Sequence, residues 1–215
     1  MDRFSKVVFG GTHGEDQECR RDGFRKAEHM SVTAKYRAVM LTKKGGPEVL
    51  KVVELPIERP GSGQLRVRVL ATGIGSTDLS MLTGNYMYAP KMPFVPGYEV
   101  AGVVEAIGDG VKGFELGQRV AALTVHGGFA ELLVCDAEHF IPIPSGVSDR
   151  DAAAVILNYV TAWQMIHRVA KVQPGQTALV TGAAGGVGTA ALQLLRLAGV
   201  KTYGAASAPK HDTLR

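Results

Sequence analysis

The sequence predicts an α/β fold in which a β-rich, barrel-like domain leads through a helical connector into a parallel βαβ unit. Three observations predict it. From Tyr36 to about Asp136, short apolar runs alternate with Gly and Pro punctuation, the pattern of many short strands. After Pro142 and Pro144 the apolar spacing becomes helical. From Thr177 a β-prone run enters a glycine cluster, the cluster opens an apolar helix, and a second strand follows.

The elements follow in order. Residues 37–41 and 50–55 read as strands around the turn Gly45-Gly46-Pro47. Residues 64–74 alternate, with Val67, Val69 and Ala71 opposite Arg66, Arg68 and Leu70. Further strands are expected at 100–107, 119–124 and 128–135, with the turn Gly108-Asp109-Gly110 after the first of these. Helices are expected at 149–156 and 161–170, and Pro174-Gly175 punctuates the entry to the βαβ unit. Its helix carries Ala190, Ala191, Leu194, Leu195 and Leu197, and its second strand spans 200–206.

Composition excludes several classes. The 215 residues suit one or two domains. Hydrophobic content of 46% and charged content of 20% are those of a globular protein. The net charge of +4 is spread out, and no Lys/Arg run reaches the density that nucleic acid requires. No apolar stretch approaches the ~18 residues of a membrane span. Cys19 and Cys135 are far apart and lack partners at metal-ligand spacing, which fits a reducing cytoplasm without a disulfide framework. Residues 1–36 read as a disordered extension, with a functional tail as the alternative. Residues 1–29 hold six basic and six acidic residues and no apolar run, unlike a secretory or transit segment.

The glycine cluster points to a dinucleotide. A strand that turns tightly into a helix N-terminus presents backbone N–H groups and the positive end of a helix dipole, so a diphosphate can bind without a charged side chain. Gly182 and Gly185 permit the turn and close approach of phosphate, and Gly188 lets the helix pack on the strand. Ala184, Gly186 and Val187 complete the loop. About 20 residues on, enzymes selective for NAD place an acid that binds the ribose hydroxyl. Here residues 204–210 read Gly-Ala-Ala-Ser-Ala-Pro-Lys. Without an acid there, with Ser207 as donor and Lys210 as cation, NADPH is favoured over NADH. The alternative is that Lys210 is a solvated loop residue. A doubly wound sheet of this kind has about six strands, so we expect the chain to be a C-terminally truncated enzyme, with a natural short form of non-catalytic purpose as the alternative.

These residues carry a resemblance. Gly45-Gly46-Pro47-Glu48-Val49-Leu50 is similar to the opening hairpin of the medium-chain dehydrogenase/reductase superfamily. Pro96-Gly97-Tyr98-Glu99-Val100-Ala101-Gly102-Val103-Val104 resembles its signature. Gly108-Asp109-Gly110-Val111, Gly117-Gln118-Arg119-Val120 and the loop 183–188 follow suit. The chain resembles the zinc-independent quinone oxidoreductase (zeta-crystallin-like) and enoyl reductase branch over about 36–215. The resemblance implies a GroES-like catalytic domain at 37–155, the first βαβ unit of a Rossmann domain at 156–215, and an active site in the cleft between them.

The resemblance also sets out the chemistry. At the positions where the alcohol dehydrogenase branch carries a zinc-binding Cys and His, this chain has Gly75 and Tyr98, and the region around Asn158 supplies no Cys. Catalytic zinc needs three good ligands, and His126, His139 and His167 are too scattered to replace them, so no metal is expected. A carbonyl must then be polarised by hydrogen-bond donors, or reduced by conjugate addition of hydride. Tyr86, in Thr83-Gly84-Asn85-Tyr86, resembles the tyrosine beside the nicotinamide in such reductases; alternatively it is a surface aromatic in a loop shared with Tyr88. Thr161, in Tyr159-Val160-Thr161-Ala162-Trp163, resembles a threonine near the nicotinamide, and is equally suited to cap a helix. Quinone reductases often carry Asn where Gly75 stands, which leaves the substrate class open. Asp78 is suited to an N-cap, and Glu99 reads as structural. The resemblance implies an NADPH-dependent reductase of quinones or α,β-unsaturated carbonyls. It implies a small-molecule substrate, no nucleic-acid or membrane partner, and a homodimer in the full-length form. The alternatives are a catalytically inactive binding protein and an alcohol dehydrogenase-like member.

Overall fold

The structure is a computed structural model and describes residues 34–213. Residues 1–33 of the expected extension, with Cys19, lie outside the described residues. Strands β1 (Lys35–Leu41) and β2 (Leu50–Pro56) form an antiparallel hairpin. Lys35 and Tyr36 pair with Pro56 and Leu55, so the strand begins inside the span expected as extension. Pro47 opens the short helical turn Pro47–Val49 between them, at a place where its missing N–H costs nothing.

The centre of the β domain is a five-stranded antiparallel sheet. Its members are β3 (Gln64–Thr72), β4 (Glu99–Ile107), β5 (Arg119–Leu123), β6 (Leu132–Asp136) and β7 (Phe140–Pro142), in the order β6-β3-β4-β5-β7. The alternation read in β3 is present: Leu65 and Val67 are buried, while Arg66 and Arg68 pair with Glu105. Leu70, on the outward face with Arg66 and Arg68, is 45% exposed, and the register with β4 shifts between Val69 and Ala71.

The hairpin and the sheet do not close into a continuous barrel. They meet through scattered bonds: Val39 N–H to Phe129 O at 2.8 Å, Glu131 N–H to Arg37 O at 2.9 Å, and a reciprocal pair between Leu41 and Phe94. This explains why β6 starts at Leu132 and not at 128. The backbone of 128–131 bonds Gly97, Pro96 and β1, and reaches β3 through Val69 N–H to Glu131 O at 2.9 Å.

Helix α1 (Ser76–Thr83) lies between β3 and β4 in the chain, and α2 (Asp149–Trp163) follows β7. Ser148 caps α2 through the N–H of Asp151 at 3.1 Å, and Arg119 bonds Asp149 at 2.7 Å. Two helices were expected here; one runs through. Leu157-Asn158-Tyr159-Val160 contains no breaker, and the apparent gap is a change of buried face. Ala152, Ala153 and Ile156 pack on Ala101 and Ala121 of the sheet. Ala162 and Ile166 pack on Ala190, Ala191 and Leu195. The helix then widens into a π-helical turn over Gln164–Val169, closed by Ala170 N–H to Met165 O at 2.9 Å.

The βαβ unit is formed by β8 (Thr177–Thr181), α3 (Gly186–Leu197) and β9 (Lys201–Ala205). The two strands are parallel, with Thr177 opposite Lys201 and Thr181 opposite Ala205. Ala178 and Val180 pack toward α3, and the alternate Leu179 is 69% exposed. Among the described residues, no helix is long and apolar enough to cross a membrane.

Ala162 is fully buried where α2 meets α3, whereas Ala154 is exposed on the same helix. Ala162→Leu is expected to destabilise the fold by about 1–3 kcal/mol through overpacking. Ala154→Leu should stay within about 0.5 kcal/mol of the parent. Urea unfolding of the two variants checks this.

Candidate active site

The glycine loop is the first part of the site. Gly182 ends β8 in a left-handed conformation (φ +63°), which an L side chain adopts only at a cost. Gly185 N–H then bonds Gly182 O at 2.9 Å and closes the turn. A Cβ on Gly188 would strike Gly182 O and the backbone of Ala183, so this glycine brings α3 close to the strand. A Cβ on Gly186 would fall 2.8 Å from the side-chain amide of Asn158. Helix α3 has Gly185 as its N-cap and no side-chain cap, so no side chain of the cap residue occupies the first-turn amides at Gly186, Val187 and Gly188. Ala183 is buried and its N–H bonds Ala205 O at 3.0 Å, which fixes the end of β9 beside the loop. Ala184 is half-buried.

Ser207 and Lys210 follow β9 on a tight turn in which Lys210 N–H bonds Ser207 O at 2.9 Å. Both are exposed. The structure therefore brings the glycine loop and the 204–210 segment together at one end of the two-stranded sheet.

The second part of the site is a polar cluster in the β domain. Tyr86 lies just beyond α1 and packs on the cluster of Leu41, Met81 and Phe94. Its hydroxyl is 2.7 Å from that of Tyr98. The Tyr86 ring stands edge-on to Tyr98 at 6.1 Å and to Tyr88 at 5.8 Å. Burial, the bond to Tyr86 and the nearby Asp78 charge together push the Tyr98 phenol well above its ordinary range. Asp78 is buried; it is the third residue of α1, where Gly75 is the N-cap. One Asp78 oxygen accepts the Gly75 N–H at 2.8 Å and the other the Gly97 N–H at 3.2 Å.

Glu99 is also buried, and accepts the N–H of Leu157 in α2 at 2.7 Å. Burial raises both carboxyls above the ordinary carboxylate range, and each N–H bond partly opposes that rise. Thr161 does not cap α2. It lies inside the helix, half-buried, and its hydroxyl donates to Leu157 O at 2.8 Å. Among the described residues, no hydrogen bond or ring contact joins Tyr86 to Thr161.

The donor set here does not fit catalytic zinc. Gly75 offers no side chain, the Tyr98 hydroxyl is engaged with Tyr86, and Asp78 is held by two backbone N–H groups. Among the described residues, the group of three metal-type ligands is Asp136, Glu138 and His139, all exposed after β6. His126 is half-buried, and burial pushes its ring below the ordinary imidazole range. His167 rests against Trp163 at 5.2 Å. Asn158 and the pairing of Tyr98 with Tyr86 were not anticipated from sequence as parts of the site. The missing Cys and His drew attention to both regions, but the contacts join distant segments.

Comparison with known proteins agrees with this architecture. Residues 61–145 match the alcohol dehydrogenase GroES-like domain. The human synaptic vesicle membrane protein VAT-1 homolog-like is 40% identical over 180 residues, covering 83% of this chain and 43% of that protein. The rat quinone oxidoreductase is 37% identical over 180 residues, covering 83% of this chain and 55% of the relative. The chain thus spans about half the length of the curated relatives it matches.

Among solved structures, the human VAT-1 homolog-like protein superposes with a TM-score of 0.81 at 40% identity, over 84% of this chain and 59% of that one. The Thermus thermophilus quinone oxidoreductase, solved alone and with NADPH, gives 0.71 at 37% identity, over 81% and 54%. The CurK enoyl reductase gives 0.77 at 27% identity, over 84% and 57%. The chain is thus similar, over about four fifths of its length, to quinone oxidoreductases and enoyl reductases, and residues 61–145 match the alcohol dehydrogenase GroES-like domain.

The buried carboxyls set a pH dependence. A carboxyl whose folded pKa lies above its unfolded value binds more protons folded than unfolded, so stability falls as pH rises from the unfolded value through the folded one. Glu99→Gln keeps an acceptor for the Leu157 N–H and removes that titration. Melting temperatures from about pH 4 to pH 8 should decline less in Glu99→Gln than in the parent. A parallel decline would show that Glu99 titrates normally.

Proposed function

We propose that the chain is the catalytic and cofactor-loop portion of an NADPH-dependent oxidoreductase that reduces a quinone or an α,β-unsaturated carbonyl without zinc. The single observation that carries this reading is the uncapped, glycine-built N-terminus of α3 held beside the end of β9. The residues fit the group. Gly182 turns the strand with φ +63°, and a Cβ on Gly188 would strike Gly182 O and the backbone of Ala183, so the glycines seat the uncapped start of α3 against β8; its amides would face a diphosphate with the helix dipole behind them. Ser207 and Lys210 would hold the 2′-phosphate, and residues 204–210 contain no acid to oppose it. The NADPH complex of the Thermus relative supports the choice of cofactor.

The reduced nicotinamide supplies the hydride when bound. The chain's own residues orient the substrate and manage its oxygen. Tyr86, as O–H donor, polarises the carbonyl and protonates the oxygen as negative charge develops there. Thr161 would lie near the nicotinamide on α2, where its hydroxyl donates to Leu157 O. The reading takes 37–155 as the catalytic domain and 156–215 as the cofactor-binding domain, in the cytoplasm, with a homodimer in the full-length form. NADPH oxidation with a panel of quinones and enones tests it; tight NADPH binding with no turnover on any of them would favour a binding protein.

A charge-assisted hydrogen bond is worth roughly 1.5–3 kcal/mol, and tenfold in affinity is about 1.4 kcal/mol. Lys210→Ala is therefore expected to weaken NADPH about tenfold or more and to leave NADH nearly unchanged in fluorescence titration. Equal losses for both would mean that Lys210 acts on the fold.

A further inference from the structure

Tyr98 belongs to the same cluster but has a different mechanical standing from Tyr86. Tyr86 is on the connection after α1, where Gly84 turns the chain with φ +76°. Tyr98 is clamped at its backbone. Its carbonyl accepts N–H groups from Thr124 at 2.8 Å and Val125 at 3.3 Å. The preceding Gly97 donates its N–H to Asp78, and its carbonyl accepts from the Thr124 hydroxyl at 2.9 Å and from Gly128 at 3.1 Å. The hydroxyl of this fixed post meets that of Tyr86 at 2.7 Å. A phenol has one proton to donate and lone pairs to accept with. If Tyr98 donates, the Tyr86 oxygen is satisfied on one side and its own O–H is released for a third group.

We propose that Tyr98 is the positioning residue for Tyr86: it donates to the Tyr86 oxygen and thereby aims the Tyr86 O–H at the substrate oxygen. This rests on the reading of Tyr86 as the substrate's donor. In the reaction, the Tyr86 O–H bond breaks as an O–H bond forms on the reduced substrate. The Tyr98 proton moves to the Tyr86 oxygen, and water restores the proton on Tyr98. Neither tyrosine changes oxidation state. The two electrons come from reduced nicotinamide and end on the substrate. A side chain held by packing and by a supporting hydrogen bond keeps a productive geometry that a loop residue alone does not.

The test is a double-mutant cycle on the full chain with para-nitrophenolate, an oxyanion whose visible band moves when it accepts a hydrogen bond. Tyr86→Phe is expected to weaken binding at least tenfold. Tyr98→Phe keeps the ring and is expected to weaken it about fivefold, with the band of the residual complex moved toward that of free phenolate. The double variant should bind no worse than Tyr86→Phe, because Tyr98 acts only through Tyr86. Loss in Tyr86→Phe with none in Tyr98→Phe would overturn the inference and leave the Tyr86 reading standing. Fully additive losses would make Tyr98 an independent ligand contact and also overturn it. A lower melting temperature of Tyr98→Phe with unchanged affinity would reduce the pair to a structural tie. No effect of either variant, or no binding by the parent, would overturn the Tyr86 reading and the inference with it.

Discussion

Helix α2 buries two faces against two different layers, and the placement of the glycine loop against the β domain depends on it. Its first half packs Ala152, Ala153 and Ile156 on the sheet at Ala101 and Ala121. Its second half passes Ala162 to the cluster of Ala190, Ala191 and Leu195 on α3. Alanine on both sides lets the backbones approach closely, so there is little slack in where α3 can lie. Between the two faces, Leu157 gives its N–H to Glu99 of β4, and Asn158 stands against Gly186 at the start of α3. Two consecutive residues of one helix thus link the β domain to the glycine loop.

The same region holds two buried carboxyls. Asp78 and Glu99 are the buried charged residues of the described chain, and burying a carboxyl is costly unless it is bonded. Here the bonds are backbone N–H groups of Gly75, Gly97 and Leu157. Each carboxyl joins segments that no strand pairing connects. Asp78 ties α1 to the entry of β4, and Glu99 ties β4 to α2. The polar interior therefore fixes geometry around Tyr98 and Tyr86 and leaves hydrogen bonding, not Lewis acidity, as the chemistry these residues offer to a carbonyl.

Much of this was legible in the sequence, where local rules govern. Alternation fixed the faces of β3, and the glycine spacing marked Gly182 as a turn and Gly188 as a close contact, as the backbone and the packing show. Errors arose where tertiary contact overrode a local pattern. The face change along α2 looked like two helices. Asp78 looked like an N-cap and is instead the third residue of α1, bonding back to Gly75. Thr161 looked equally like a cap and lies inside the helix. The β-rich domain is present as expected, and what the sequence did not show is how its hairpin joins the sheet, because residues 128–131 bond β1, Gly97 and β3 at once. The pairing of Tyr98 with Tyr86 spans 12 residues and depends on how α1 and β4 meet, which no periodicity encodes.

The central claim is that backbone amides at the start of α3, with the turn after β9, form the dinucleotide cradle. Amide chemical shifts of the labelled chain, followed through an NADPH titration, test it most directly. The account predicts the largest changes at Gly185, Gly186, Val187 and Gly188, with a second set at Ser207 and Lys210 that NADH does not produce. Saturable changes confined to other segments, with the Gly185–Gly188 amides unmoved, would contradict it.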